Sequence, residues 1–213
     1  MPYNERAVPP LYDLQMLGTA VFAATGVLAV NRRGLDVFGG LMLGTVTSLG
    51  GGTVRDLIIR APVFWLVDTN YLLVAIVAAL VAFFASRWIH STYALLLYLD
   101  ALGAALFGIQ ATEKVLGLQH GAAIAVSMGV LTSIGGGLLR DVLAGRPTLL
   151  MSREIYATPI LLGCVLYVVL RRAALDRAAI GLLAVAVIFC IRAAAIRWHV
   201  EMPGWLTSRH DPD

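Results

Sequence analysis

Apolar residues run through the chain in seven stretches: Leu14–Val30, Val37–Ile59, Tyr71–Ala85, Tyr93–Ala111, Gly121–Leu143, Ile155–Leu170 and Ala178–Ile196. Polar punctuation separates them, at Asn31 to Gly34, Pro62 to Asn70, Arg87 to Thr92, Glu113-Lys114, Arg146 to Glu154 and Arg171 to Arg177. A helix needs about 17–25 apolar residues to cross the hydrocarbon layer. Five runs satisfy this; the third and sixth are short and their ends soft by a few residues. The pattern predicts an all-α polytopic membrane bundle of seven transmembrane helices. Ahead of it, Arg6 is set against Glu5 and Asp13, a poor signal-peptide start, so the first span is expected to stay in the mature chain. Behind it, a polar tail over 198–213 holds Pro203 and Pro212 and is expected to fray.

Two of the spans carry the same unusual signature. Gly50-Gly51-Gly52-Thr53-Val54-Arg55-Asp56 and Gly135-Gly136-Gly137-Leu138-Leu139-Arg140-Asp141 are offset by 85 residues. Sliding Leu14–Phe64 onto Leu99–Leu149 without gaps matches 15 of 51 positions, among them Gly18/Gly103, Phe22/Phe107, Gly44/Gly129, Thr47/Thr132, Ser48/Ser133 and Pro62/Pro147. Shared Leu and Ala could follow from apolar composition alone; the string G-x-x-T-S-x-G-G-G-x-x-R-D-x-x-x-x-x-P could not. Three spans per copy is an odd number, so the second copy enters the membrane from the opposite side. The expected organisation is an inverted 3+3 repeat, 14–91 and 92–171, plus one extra helix at 178–197. Glycine-interrupted segments at matching places in inverted halves are the best sequence pointer to a permeation or binding site.

Composition supports the membrane reading. The chain is 59% hydrophobic and only 14% charged, where a soluble domain carries about a quarter charged residues, and a soluble core of this length could not hide so much apolar surface. The net charge of +3 comes from scattered Arg with no basic cluster, so no nucleic-acid partner is expected. Charges at span ends are read as headgroup anchors. Cys164 and Cys190 lie inside apolar runs and are expected to be buried, inert thiols; no C-x-x-C or His pair suggests a metal, and no cofactor is implied. Neither a Ser-His-Asp set nor a His-Glu-x-x-His motif is present, and the third position of a dinucleotide fingerprint counted from Gly50 and Gly52 is Arg55. The chain is therefore not expected to be an enzyme.

Three successive glycines each cost about 1 kcal/mol relative to Ala in a helix, and lipid tolerates loosened backbone only against protein or a wet cavity. Kinks or breaks are expected at Gly50–Gly52 and Gly135–Gly137, facing the interior; close packing through small residues is the simpler alternative. Gly40, Gly44, Ser48 and Gly52, repeated as Ala125, Gly129, Ser133 and Gly137, recur every fourth residue and so share a helix face. Thr47, Ser48, Thr132 and Ser133 place hydroxyls beside the expected breaks, to serve freed backbone groups or a dehydrating ion.

A charge mid-membrane costs around 3 kcal/mol on insertion scales and normally faces protein or water. Adjacent helical residues do not face each other, so Arg55 with Asp141 and Arg140 with Asp56 is the expected, crossed pairing; the alternative is snorkelling of the Arg heads to an interface. Paired, the arginines would be nearly neutral towards cations; unpaired, they would form a positive gate or favour anions. Asp13 and Asp100 open the first and fourth spans at roughly equivalent places, either as a cation-attracting vestibule or as partners of the helix dipole. Glu113 and Lys114 are read as an interfacial loop pair.

The duplicated Gly-Gly-Gly-x-x-Arg-Asp motif on three-plus-three-plus-one spans, with Pro62-Val63-Phe64-Trp65 after the first copy, resembles the prokaryotic branch of the trimeric intracellular cation (TRIC) channel family from about Asp13 to Trp198. The resemblance implies a homotrimer in the cell membrane of a prokaryote, with an hourglass pore in each subunit. The second and fifth spans would line it, kinked at the glycines, with help from the first and fourth. Arg55, Asp56, Arg140 and Asp141 would sit around the constriction; Thr47, Ser48, Thr132 and Ser133, from their place beside the glycines, are candidate pore-lining or gating residues. The implied activity is passive conduction of monovalent cations, K+ foremost and Na+ as a second, in contact with membrane lipids. The Lys-Glu-Val-type lipid motif of animal members has no clear equivalent here. Because members of the same branch are also described as glycine transporters, and inverted repeats with broken helices equally mark carriers, a small-solute secondary transporter is the alternative. Lys and Arg at the span ends divide six against seven, which sets no orientation; the resemblance implies the N-terminus outside and the C-terminus cytoplasmic.

Overall fold

Most of the polar interruptions fall where helices end; Glu113-Lys114 does not. A computed structural model of the chain describes residues 9–31, 34–88, 92–152, 154–173 and 176–202. The expectations for Arg6 and Glu5, for Arg32, Arg33 and Arg153, and for the tail beyond Met202 lie outside these residues. Among the described residues there are eight α-helices: α1 (Pro9–Val30), α2 (Val37–Ile58), α3 (Phe64–Val67), α4 (Asn70–Ala85), α5 (Thr92–Gly117), α6 (Ala122–Leu143), α7 (Ala157–Leu170) and α8 (Arg177–Trp198). With the turn that follows α4, six helical segments are long and apolar enough to cross a membrane, and α7 is a shorter apolar helix. Large apolar side chains such as Leu57, Val67, Val81, Val142 and Leu143 face outward, a surface that only lipid or another chain could cover.

All seven apolar stretches are found as helices, six of them of spanning length, and two departures have clear causes. First, α3 was not foreseen: four residues, Phe64-Trp65-Leu66-Val67, form one turn between α2 and α4 that swings Phe64 inward. Second, α5 runs past Ala111 to Gly117. Thr112, Glu113 and Lys114 are helical and almost wholly buried, because Glu113 and Lys114 each have oppositely charged partners inside the protein. The reading of Glu113-Lys114 as an interfacial loop pair is thereby corrected. Cys164 is buried as expected, but Cys190 is exposed on the outward face of α8, a position where an apolar run alone does not separate core from lipid contact.

The inverted repeat is visible contact by contact. Phe22 and its counterpart Phe107 meet at the centre, ring centroids 5.2 Å apart. A Cβ on Gly18 would meet Phe107, and one on Gly103 would meet Phe22. Gly44 lies against the Ala23 carbonyl, and Gly129 against that of Gly108, each with 2.8 Å between an ideal Cβ and the oxygen. Both α2 and α6 also end alike: Ala61 N–H reaches the Asp56 carbonyl (2.9 Å) and Arg60 N–H that of Leu57 (3.3 Å), matched by Arg146 to Asp141 (2.8 Å) and Gly145 to Val142 (3.0 Å). This is the Schellman closure, whose penultimate residue must be left-handed; Arg60 and Gly145 have φ of 55° and 56°. The extra helix α8 breaks the symmetry by packing on α5 and α7.

Candidate functional site

Neither triple glycine interrupts its helix. Regular α-helix runs from Val37 to Ile58 and from Ala122 to Leu143, so the expected breaks do not occur. The central glycines serve close approach: a Cβ on Gly51 would fall on the Thr132 carbonyl oxygen, and one on Gly136 on the Thr47 carbonyl oxygen, both well under the 3.0 Å that Cβ atoms respect. The two helices cross backbone to backbone there. The hydroxyls accordingly bond intact helical carbonyls instead of freed ones: Thr47 donates to Leu43 (2.6 Å), Ser48 to Thr45 (3.1 Å), and Ser133 to Gly129 (3.0 Å). Thr132 Oγ1 is buried without a partner. The small-residue face packs on protein, Gly40 against Phe83, Gly52 against Phe64, and Gly137 against Asp100 and Tyr156.

The Arg-Asp pairs are buried, which rules out snorkelling, and they are not crossed. Each lies about one turn beyond the crossing point, and α2 and α6 run in opposite directions. At 1.5 Å per residue, Arg55 and Arg140 are therefore carried roughly 6 Å each towards opposite faces of the bundle. Pairing is within each copy instead. Arg55 Nε donates to Asp56 Oδ1 (2.8 Å) and Arg140 Nε to Asp141 Oδ1 (2.9 Å). Adjacent residues can meet because both side chains bend past the helix end, where the aspartate also receives a loop N–H: Phe64 N–H to Asp56 Oδ2 and Leu149 N–H to Asp141 Oδ2, each 3.0 Å. The aspartate thus ties its arginine to the segment eight residues on.

Beyond this shared core the two clusters differ. In the first, Asp56 also takes Lys114 Nζ from α5 (3.1 Å), and Arg55 lies over the Phe64 ring (5.7 Å). In the second, Arg140 gains a second carboxylate, Asp100 on α5, at 2.8 Å. Asp100 is completely buried, so it is neither a vestibule charge nor a dipole partner at a wet helix end. Its true counterpart at an offset of 85 is Gln15, not Asp13, and Asp13 is exposed. Gln15 accepts a hydrogen bond from Tyr71, whose counterpart is Tyr156 beside Asp100.

Two participants, Arg192 and Gln110, go unmarked in the sequence, and a third, Glu113, has a different role from the one read there. Arg192 is buried in the middle of α8, 4.4 Å over the Tyr156 ring, donating to the Ile155 carbonyl (2.9 Å) and 3.9 Å from Asp100. The signal was available, since it is an arginine inside an apolar span. Gln110 is 3% exposed, and both its amide atoms lack partners. Together with Gln15, Arg55, Phe64, Tyr71 and Phe107 it lines a cavity of about 10 Å³ between the first cluster and the central Phe pair, room for about one water. Glu113 accepts from Tyr167 and Arg171. Among the described residues no group of His, Cys, Asp or Glu could hold a metal ion.

An inverted-repeat membrane bundle with buried, paired charges on either side of a tight central crossing defines a protein of the channel or carrier class. Comparison with known proteins narrows this. A family model described as "Glycine transporter" matches twice, over residues 13–87 and 97–172. A UPF0126 membrane protein of Vibrio cholerae is 40% identical over 195 residues, covering 91% of this chain and 82% of its own length. The UPF0126 inner membrane protein YadS of Escherichia coli K12 is 38% identical, covering 91% and 95%. A crystal structure of the TRIC trimeric intracellular cation channel orthologue from Rhodobacter sphaeroides superposes with a TM-score of 0.86 at 38% identity, covering 89% of this chain and 98% of the other. The chain belongs to the glycine-transporter family, and within it to the prokaryotic TRIC channels.

Proposed function

We propose that this protein is a passive, potassium-permeable channel for monovalent cations, admitting Na+ as well, that works as a homotrimer in a bacterial membrane with one hourglass path per subunit. The path runs between α2 and α6 with walls from α1 and α5, and its waist is the Gly51–Gly136 crossing beside Phe22 and Phe107. Thr47, Ser48, Thr132 and Ser133 flank the waist; the Arg55-Asp56 and Arg140-Asp141 clusters guard its two mouths. The observation that carries the reading is that both clusters are buried, paired and placed symmetrically about that waist. Arginines neutralised by aspartate do not repel a passing cation as bare ones would, and the 38% identical TRIC orthologue shares the whole fold. With the helices in contact at the waist the path is closed, and conduction requires α2 and α6 to part. The N-terminus is assigned to the outside and the C-terminus to the cytoplasm.

Planar-bilayer recording of purified protein in asymmetric KCl tests the reading. Unitary currents reversing near the potassium potential are expected; reversal near the chloride potential refutes cation selectivity. The second reading, a glycine-type carrier, is favoured by the description of the matching family model. Saturable glycine uptake into vesicles without unitary currents would establish it instead.

A further inference from the structure

We propose that the cavity beneath Arg55 is a binding site for a single small inorganic anion, with chloride as the physiological occupant. Two independent features of the molecule lead there.

The first is the comparison of the two halves. Arg140 is held by two carboxylates, Asp141 at 2.9 Å and Asp100 at 2.8 Å. Arg55 is held by one, Asp56, and that carboxylate is shared with Lys114 and with the Phe64 N–H. The position that supplies the second carboxylate in one half carries the uncharged amide Gln15 in the other, while the tyrosine beside it, Tyr71 or Tyr156, is the same in both. A buried guanidinium in low dielectric calls for opposite charge, and the first half supplies less of it from its own chain.

The second is Gln110. It is buried, neither its Oε1 nor its Nε2 has a partner, and it lines the same cavity as Arg55 and Gln15. A buried amide left unsatisfied is costly. The lining of this partly open cavity offers a guanidinium and two primary amides as donors, flanked by the rings of Phe64, Tyr71 and Phe107, whose edges carry positive charge. No carboxylate lines it; the nearest, Asp56, lies on the Nε and Nη2 edge of Arg55. This is a donor set for an anion, and Arg55 and Lys114 both disfavour a metal cation. Volume then selects among anions. Room for about one water-sized sphere favours a monatomic halide over the bulkier carboxylates, sulfate and phosphate. Bound there, a halide does for Arg55 what Asp100 does for Arg140, so the two mouths become electrostatically alike.

The test uses full-length protein in detergent and reads binding and stability, not current, so its failure is separate from failure of the channel reading. Thermal midpoints are compared in potassium chloride, bromide, gluconate and sulfate at constant ionic strength. Chloride and bromide are expected to raise the midpoint saturably, by about 3–6 °C at tenfold the dissociation constant, and gluconate and sulfate to leave it unchanged. Gln15→Asp, which installs the missing carboxylate, should abolish the halide effect. Crystals grown in bromide should show an anomalous peak in the cavity. Equal midpoints in chloride and gluconate, or a halide effect that survives Gln15→Asp, would overturn the proposal. Should that variant fail to fold, the bromide peak decides alone: a non-anomalous water in the cavity, or bromide only elsewhere, refutes it.

Discussion

Gly135 and Gly136 are neighbours on α6, with the same helical backbone and the same residue type, yet adding one methyl to each should have opposite results. Ala is favoured over Gly in a helix interior by about 1 kcal/mol, and both variants gain this. At Gly135 the new Cβ would meet only the Gly51 Cα at 3.4 Å, ordinary contact, so the gain survives. At Gly136 it would strike the Thr47 carbonyl oxygen and approach the Phe22 ring at 3.1 Å. Carbonyl oxygens of a regular helix cannot rotate away, so α2 and α6 must part by roughly 1 Å to restore normal separations. Overpacking of this kind costs about 1–3 kcal/mol, and the upper end applies because the yielding element is backbone. Gly135→Ala is therefore expected to be neutral or up to about 1 kcal/mol more stable, and Gly136→Ala about 2 kcal/mol less stable. For a chain of this size the two midpoints should differ by about 4–12 °C. Circular dichroism melts in one detergent, on proteins purified side by side, make the measurement. If Gly136→Ala melts at or above Gly135→Ala, the helices do not touch at Thr47, and the waist assigned above does not exist.

Other expectations follow from the same contacts. Asp100→Asn removes one partner of a buried pair, leaving Arg140 with Asp141 alone and Arg192 without a nearby carboxylate; a loss of about 3–5 kcal/mol in reversible unfolding is expected, and a loss below 1 would show the pair to be hydrated. Arg55→Gln with Asp141→Asn should be additive within about 0.5 kcal/mol, whereas Arg140→Gln with Asp100→Asn should deviate by more than 1; coupling in the first cycle would revive the crossed pairing. Arg60 is exposed and left-handed where the second copy has Gly145. Arg60→Gly should therefore stabilise by about 0.5–1 kcal/mol, and a lower melting point would contradict the closure described for α2.

How much of this was legible depended on which physical rule was local. The span positions were readable because each needs only a run of apolar side chains, and the repeat because Gly, Arg and Asp are rare enough in such runs for coincidence to be excluded. The direction of each charged side chain was not. The rule that i and i+1 diverge holds for the middle of a helix; Asp56 and Asp141 stand two residues from the end of theirs, where the turning chain brings a loop N–H and the preceding arginine onto one carboxylate. The crossed pairing failed for a reason the inversion itself contains, since equivalent residues of inverted copies move to opposite faces. Glu113 and Lys114 looked interfacial because two charges end an apolar run, yet their partners Arg171 and Asp56 come from segments 58 residues away in either direction. Periodicity cannot report such pairs. The glycines were compatible with a break or with close packing; the helices are unbroken and the central glycines bring them together, a distinction set by the neighbour and not by the string.

The two halves share a backbone design but divide their charges differently, and the extra helix explains how. α8 packs chiefly on the second half, touching the first only lightly at α1, and there it inserts Arg192 beside Asp100 and Tyr156. A third charge there lets Asp100 face two arginines without excess negative charge, so a full carboxylate is tolerable at that position. In the first half no such helix brings an arginine to the equivalent place. Its corresponding cation, Lys114, comes from α5, in the place where α1 has Ala29, and it approaches Asp56 instead of position 15. A carboxylate at Gln15 would therefore stand beside Arg55 with no second arginine opposite. Gln15→Asp is consequently informative about more than anion binding: if α8 is what licenses the acid at position 100, the same acid at position 15 should be tolerated only so far as Arg55 alone can hold it. Its stability in gluconate should then rise when Gln110 is also changed to Lys, and a double variant no more stable than the single one would mean that charge number is not what distinguishes the halves.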